Sequence, residues 1–367
     1  MKTPVPHSTI WFDSSSQTLR VIDQTRLPFE TVVLTLETLE QATDAIVSMK
    51  VRGAPLIGIT AAFGVYLALR SDQNSLAAAC AQLLQTRPTA VNLRWALDRM
   101  YARLSNMPVA EQTGQALELA QQILAEDAAA CSTIGDYGLT LLQSLYEQKC
   151  GRHGPDAVLN VLTHCNAGWL ATGAWGTALA PIYKAKLAGM PIHVWVDETR
   201  PRSQGASLTA WELAQSEVAH TLIVDNAGGH LMQHGMVDVC LVGSDRTTAS
   251  GDVCNKIGTY LKALAAHDNG IPFYAALPVS TVDFAMMDGV REIPIEERSA
   301  DEVTHIRGLT DDGHLTQVRV AAPHTMVSNF GFDVTPARLV TGLITELGIY
   351  PASVAGLAAL KAATLAV

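Results

Sequence analysis

Two side chains in this sequence stand where protons could be moved. Cys165 lies in Thr163-His164-Cys165-Asn166-Ala167-Gly168, at the end of an apolar, β-branched run; Asp245 lies in Gly243-Ser244-Asp245-Arg246, at the end of another. A free cysteine is ordinarily a small buried hydrophobe. The cysteines at 80, 131, 150 and 240 fit that description, while Cys254 sits in the loop that follows Asp245 and is left open. Cys165 differs because a turn after a strand faces the ligand crevice of a parallel sheet, where a backbone turn or helix N-terminus lowers a thiol's pKa and makes it a base. Asp245 has company that a plain turn cap lacks, since Arg246, Asn255 and Lys256 follow in one loop. A carboxyl group beside an anion has its pKa raised and can act as an acid.

The anion has its own signature. Arg52-Gly53-Ala54-Pro55 precedes a helix of small residues (Leu56, Gly58, Ala61, Ala62), which gives a bare helix N-terminus with an arginine beside it. Arg87 stands before a second helix in the same way. Other chemistries lack their marks. His230 and His234 have the spacing of two metal ligands, but there is no His-Glu-x-x-His and no third ligand at fixed spacing, so they read as a surface pair and no metal is expected. There is no phosphate-binding Gly-x-x-x-x-Gly-Lys-Ser/Thr loop, no Gly-x-Gly-x-x-Gly after the first strand and no Gly-x-Ser-x-Gly elbow, so no nucleotide cofactor is expected.

The elements that must position these residues follow from periodicity. A polar, β-branched opening (Ile10 to Val33, with Val21 to Gln24 as one strand) predicts short antiparallel strands. Helical spacing then covers Leu39 to Met49, Pro55 to Leu69, Leu93 to Met100 and Ala116 to Ala130. After about residue 150, short β-rich runs (Val158–Leu162, Ile192–Val196, Thr221–Val224, Val237–Val242, Phe273–Leu277) alternate with helical runs, which predicts a parallel sheet with helices on its faces. Ser132 reads as the cap of a helix entering that second unit, so the expected division is 1–132 and 133–367. The fold class is α/β: a smaller, mostly helical N-terminal domain with a few antiparallel strands, then a Rossmann-like parallel sheet. Cys165, Gln204, Asn226 and Asp245 all follow strands of that sheet and are expected to converge at its carboxyl edge.

Composition sets the outer bounds. The chain has 367 residues, 48% hydrophobic and 16% charged, ample for a large core and unlike a disordered chain. Its 25 Lys and Arg against 35 Asp and Glu give a net charge of −10, with no basic cluster, so neither a nucleic-acid groove nor an anionic membrane surface is expected as partner. The longest apolar stretch, Leu56 to Leu69, is too short to span a bilayer. Met1 to Phe12 lack a secretory pattern and the six cysteines form no Cys-x-x-Cys pair, so a reducing cytoplasm is expected.

Together, Val51 to Pro55, Arg87 to Leu93, Thr163 to Gly168, Asp197-Glu198-Thr199-Arg200-Pro201-Arg202-Ser203-Gln204-Gly205-Ala206, Gly251-Asp252-Val253-Cys254-Asn255-Lys256 and Phe332-Asp333-Val334-Thr335-Pro336 resemble the methylthioribose-1-phosphate isomerase family, in order and over most of the chain. The resemblance implies a homodimeric aldose–ketose isomerase of methionine salvage that needs no metal or nucleotide. It implies Cys165 and Asp245 as the catalytic pair and Arg52, Gly53, Ala54, Arg87, Gln204, Asn255 and Lys256 as the substrate-binding positions. Ser244-Asp245-Arg246-Thr247 and Asn226-Ala227-Gly228-Gly229 depart from the family's usual runs, which opens the substrate's C5 group to a 5-deoxyribose 1-phosphate branch. A ribose-1,5-bisphosphate isomerase, needing a second phosphate site, and a non-catalytic regulatory subunit related to the exchange factor of translation initiation factor two are the alternatives. Trp169, Leu170 and Trp175 are expected to meet the C5 end.

Overall fold

The computed structural model describes residues 8–87 and 91–366. The N-terminal residues form an antiparallel sheet of β1 (Ile10–Asp13), β2 (Thr18–Ile22) and β3 (Val33–Leu36). Four helices follow: α1 (Leu39–Val47), α2 (Ala54–Ser71), α3 (Leu76–Leu84) and α4 (Val91–Leu104). Thr38 and Gln41 start α1 with a reciprocal capping box. Helix α2 is apolar on every face, as a helix must be when it is enclosed, and its buried residues run from Ala54 to Leu69. Contrary to the expectation from its sequence, it is long and apolar enough to cross a membrane, but here 89% of that stretch is buried.

Helix α5 (Val109–His153) runs for 45 residues without a break. Ser132 therefore lies in mid-helix and is no cap, and the expected boundary at 132 falls inside one rigid element. The helix belongs to both halves. Ala116, Leu119, Ala120 and Ile123 pack into the core of α1–α4, whereas Ile134 and Leu142 pack into the core beneath the large sheet.

That sheet uses β4 (Leu159–Thr163), β5 (Ile192–Asp197), β6 (His220–Ile223) and β7 (Val239–Val242), interleaved with α6 (Ala180–Leu187), α7 (Ala210–Gln215) and α8 (Ala227–Gln233). The short strands β8 (Arg246–Thr248) and β9 (Val253–Lys256) come next, then α9 (Thr259–Asp268), β10 (Phe273–Ala276) and β11 (Val282–Asp283). Two single-turn helices, α10 (Gly289–Glu292) and α11 (Asp301–Thr304), lead to a hairpin of β12 (His305–Leu309) and β13 (Leu315–Arg319). The chain ends through β14 (Phe332–Thr335), β15 (Gly342–Thr345), β16 (Gly348–Tyr350) and α12 (Val354–Thr364). The large sheet has the order β16-β15-β10-β7-β4-β5-β6 and is parallel except for the edge pair β15–β16. Alternation along β4 sends Leu159 and Val161 to one core and Leu162 to the other.

From β4 the chain winds outward through β5 and β6, then returns to the other side of β4 as β7. Strand order thus reverses between β4 and β7, the place where an open α/β sheet leaves a crevice at its carboxyl edge. The registers Val161 with Val239 and Leu162 with Cys240 bring Cys165 and Asp245 to adjoining strand ends. The run after Asp245, expected as a loop, instead forms β8 and β9 of a second sheet ordered β11-β8-β9-β14. Arg246, Asn255 and Lys256, which line the cavity, break the apolar alternation by which a strand shows in sequence.

Helices α5 and α6 touch at Gly138, where a Cβ would overlap Cγ of Pro181 and lie 2.7 Å from its Cβ. Gly138→Ala adds helix propensity of about 1 kcal/mol, but overpacking a rigid proline ring costs about 3 kcal/mol. A net loss of about 2 kcal/mol in urea unfolding is expected. A variant as stable as the parent would contradict this packing.

Candidate active site

One cavity gathers the expected residues. Cys165, Asp245, Arg52, Gly53, Ala54, Arg87, Gln204, Asn255 and Lys256 all line it. Asn226 does not: it stands at the start of α8, after β6, and its side chain makes no capping hydrogen bond there. Of the expected second-helix motif, Pro88, Thr89 and Ala90 lie outside the described residues.

Cys165 takes a left-handed backbone conformation with φ 63°. Two threonines hold it there: the Cys165 N–H donates to Thr199 Oγ1 at 2.9 Å, and Thr209 Oγ1 donates to the Cys165 carbonyl at 2.6 Å. Asp245 sits opposite, its N–H donating to the Cys254 carbonyl at 2.9 Å. Burial pushes the Cys165 thiol above its ordinary pKa, against the pull of Arg52 and Lys256. This is the reverse of what the turn suggests in sequence, because turn geometry alone does not reveal how thoroughly the site is desolvated. Burial also raises the Asp245 carboxyl, with Lys256, Arg87 and Arg52 opposing, which keeps it closer to the acid form.

The cations are unusual in their partners. Arg52, 5% exposed, donates to the Asn166 carbonyl at 3.0 and 2.9 Å and to Asn166 Oδ1, and its buried Nε has no partner. Lys256, also 5% exposed, donates to the Gly331 carbonyl at 2.9 Å and lies over the Phe332 ring. Desolvation lowers its pKa. Among the described residues neither forms an ion pair with a carboxylate. Arg87 meets Glu296 at 3.2 Å through one nitrogen, and its buried Nε and Nη1 have no partner. Gln204 leaves a buried Oε1 unpartnered. Positive charge held by neutral acceptors, with unused donors, is the arrangement an anion completes. Gly53 supplies the helix end: it precedes α2 with φ 98°.

Apolar side chains (Met49, Ile57, Pro278, Ile293, Pro294 and Phe332) make up one part of the remaining wall, and Asn166, Thr172, Thr177, Ser244 and Arg246 another. Trp169, Leu170 and Trp175, expected here, instead pack in the core beneath the sheet, with Trp169 5.7 Å from Trp211. The large aromatics follow Cys165 in sequence, but the turn carries them away from the cavity.

Beside the site, His164, Asp197 and Asp225 come close enough to resemble a metal cluster. The donor set does not fit an ion, because Lys262 Nζ already lies 2.9 Å from Asp197 Oδ2 and donates to the Asp225 carbonyl. His164 Nδ1 faces Asp197 at 2.8 Å and Nε2 faces the Ile257 carbonyl at 2.9 Å, so both ring nitrogens are already engaged. Burial pushes the Asp197 carboxyl up, but His164 and Lys262 prevail and hold it below its usual range. Nothing in the sequence pattern marks this network, nor Thr199, Thr209, Glu212 and Met49. Only contact shows their roles.

The sequence matches the initiation factor 2 subunit family over residues 50–352. A methylthioribose-1-phosphate isomerase of Methylorubrum populi is 60% identical over 357 residues, 97% of this chain and 96% of the relative. Among solved structures, a 5-methylthioribose 1-phosphate isomerase from Pyrococcus horikoshii superposes with a TM-score of 0.81 at 37% identity, covering 100% of this chain and 97% of that one. A translation initiation factor eIF-2B subunit delta from A. fulgidus gives a TM-score of 0.76, also at 37% identity, covering 94% and 96%.

A Cβ on Gly53 would sit 2.5 Å from the Ala171 carbonyl oxygen, in a backbone conformation that L residues avoid. Gly53→Ala must therefore move the start of α2. Inorganic phosphate, titrated calorimetrically, is expected to bind about tenfold more weakly, the scale of one lost charge-assisted hydrogen bond. Unchanged affinity would place the anion elsewhere.

Proposed function

The chain belongs to the initiation factor 2 subunit family and, within it, to the methylthioribose-1-phosphate isomerases, and we propose that it converts 5-methylthioribose 1-phosphate to the ketose 1-phosphate by acid–base chemistry between Cys165 and Asp245. The enzyme is an aldose–ketose isomerase acting on a sugar phosphate. One observation carries the mechanism: a thiol and a protonation-prone carboxyl group share a cavity in which the buried Arg52 and Lys256 have no carboxylate partner among the described residues.

The substrate's anomeric oxygen carries phosphate, so its ring cannot open to a free aldehyde. In the proposed course, Asp245 donates its proton to the ring oxygen as the C1–ring-oxygen bond breaks. The Cys165 thiolate takes the proton from C2, and that C–H electron pair becomes the C1–C2 double bond. The resulting cis-enol phosphate returns its hydroxyl proton from O2 to Asp245 and takes a proton at C1 from the Cys165 thiol, leaving a ketone at C2. Both groups end as they began. The reactive form, thiolate with carboxylic acid, differs from thiol with carboxylate only by a proton passed within the pair, so the two titrate as a unit. Arg52, Lys256 and the amides at the start of α2 hold the phosphate and the developing enolate charge.

The apolar wall of Met49, Ile57, Pro278, Ile293, Pro294 and Phe332 suits a methylthio group or a hydrogen at C5. A second phosphate finds less. Beyond Gln204 a neighbouring cavity holds Arg200 and Arg202, but Arg202 is paired with Glu302 at 2.8 Å and Arg200 donates to the Pro201 and Val303 carbonyls. The regulatory alternative is disfavoured by the catalytic pair and its cation cradle standing together in one cavity. Work as a cytoplasmic homodimer, with residues 133–367 as the unit bearing the pair, belongs to the same reading.

Cys165→Ser is expected to lower kcat at least about a hundredfold with an unchanged unfolding midpoint; near-normal turnover would remove Cys165 from the mechanism. Assayed side by side, the 5-methylthio and 5-deoxy sugars are expected within about two orders of magnitude of each other in kcat/KM, because a hydrophobic pocket discriminates weakly by one small group. Ribose 1,5-bisphosphate is expected far behind, its second dianion buried without a partner. Were the bisphosphate the best substrate, the C5 pocket would have to be basic.

A further inference from the structure

Glu212, on α7, is fully buried and takes no part in the proton transfers above. Its two carboxylate oxygens accept four hydrogen bonds. Asn166 Nδ2 and the Leu170 N–H donate to Oε1 at 2.8 and 3.0 Å, and the Trp169 N–H and the Tyr183 hydroxyl donate to Oε2 at 2.9 and 2.8 Å. The turn that carries Cys165 is thus folded around this carboxylate, so closely that a Cβ on Gly168 would overlap Glu212 Oε2. The amide of Asn166 extends the contact: its nitrogen faces Glu212, while its Oδ1 and backbone carbonyl both face Arg52. Carboxylate, amide and guanidinium form one line that ends in the cavity.

We propose that Glu212 is a positioning residue for the isomerisation, its charge relayed through the Asn166 amide to orient and balance Arg52 for the substrate's phosphate. This rests on the assignment of Arg52 as a phosphate ligand. Without Glu212 the buried guanidinium has no carboxylate in its hydrogen-bonded network among the described residues. The Asn166 amide would also lose the nearer of its two acceptors, Glu212 at 2.8 Å, and keep only Thr209 Oγ1 at 3.2 Å. The bulged turn Gly205–Thr209 just before α7 reinforces the link, since Gln204 precedes it and Thr209 donates to the Cys165 carbonyl. One short segment therefore sets the cysteine, the glutamine and, through Glu212, the arginine.

Burial pushes the Glu212 carboxyl up to about 7, with Asn166, Tyr183, the Leu170 amide and Arg52 opposing. The ionisable groups facing it are Arg52 and Tyr183. The relay is charged above that value and is lost as pH falls through it, so KM should rise on the acid side. Tyr183→Phe keeps the ring and removes one donor to the carboxylate, which raises the Glu212 pKa further. Neither Cys165 nor Asp245 touches Tyr183, and the substrate's own phosphate titration is unaffected by it.

The test is steady-state kinetics of the full chain with 5-methylthioribose 1-phosphate across pH. Tyr183→Phe is expected to move the acid-side rise in KM upward by about half a pH unit or more. At pH 8, Glu212→Gln is expected to raise KM about tenfold or more, but less than about twofold in an Asn166→Ala background, because a relay already cut cannot be cut again. An acid limb that stays in place, or effects of Glu212→Gln and Asn166→Ala that simply add, would overturn the relay. Arg52→Ala, run in parallel, separates the two claims: lost phosphate affinity there with either overturning result leaves Arg52 as the ligand and removes only Glu212. If Glu212→Gln fails to fold, the Tyr183→Phe limb decides alone.

Discussion

Burying a cation without an anion is expensive, and this molecule does it at least twice in one place. Arg52 and Lys256 are each 5% exposed and are held by carbonyl oxygens, not carboxylates. Such an arrangement is stable only because the surrounding scaffold is rigid enough to impose it. In the proposed reading that deficit is what an anionic substrate fills, in a chain whose net charge is −10. It also sets the chemistry, since the same desolvation that makes the cations costly raises both the Cys165 thiol and the Asp245 carboxyl. Charge that develops on an enolate in such a site meets fixed positive charge without water to screen it.

The scaffold meets this demand by joining two halves of the chain at one point. Cys165 and Asp245 follow the two strands flanking the switch in strand order, while Arg52, Gly53, Ala54 and Arg87 come from the helical N-terminal part. The continuous helix α5 packs into both cores and fixes their relation. A break there, as the sequence alone suggested at Ser132, would leave the arginine and the thiol on separately moving bodies. The second sheet closes the cavity from above: β9 delivers Asn255 and Lys256, and β14 delivers Phe332 beneath the Lys256 ammonium.

Much of this was legible in the residues, for stated physical reasons. Apolar, β-branched runs ending in polar turns marked β4, β5, β6, β7 and β10, and the ends of β4 and β7 marked Cys165 and Asp245. Helical spacing marked α2 and the bare turn before it, hence Arg52 and Gly53. What stayed hidden depends on contacts across long separations. Asn166 and Glu212 are 46 positions apart, and nothing in the pattern around Trp211-Glu212-Leu213 distinguishes a buried carboxylate from a solvated one. Strands β8 and β9 read as a loop because Arg246, Asn255 and Lys256, which line the cavity, break the apolar alternation that marks a strand. Trp169 and Trp175 read as a C5 pocket because they follow the cysteine, whereas the left-handed turn at Cys165 sends them into the core.

Everything proposed about the site depends on a proton leaving the sugar for Cys165 and a proton returning to C1, because a hydride passing directly from C2 to C1 would need no thiol at all. Turnover in D2O reads this directly by mass spectrometry or NMR of the product. A thiol exchanges with solvent, so one deuteron is expected at C1 of the ketose 1-phosphate. A product with no solvent deuterium, and with the label of a C2-deuterated substrate carried intact to C1, would contradict acid–base catalysis by Cys165 and Asp245.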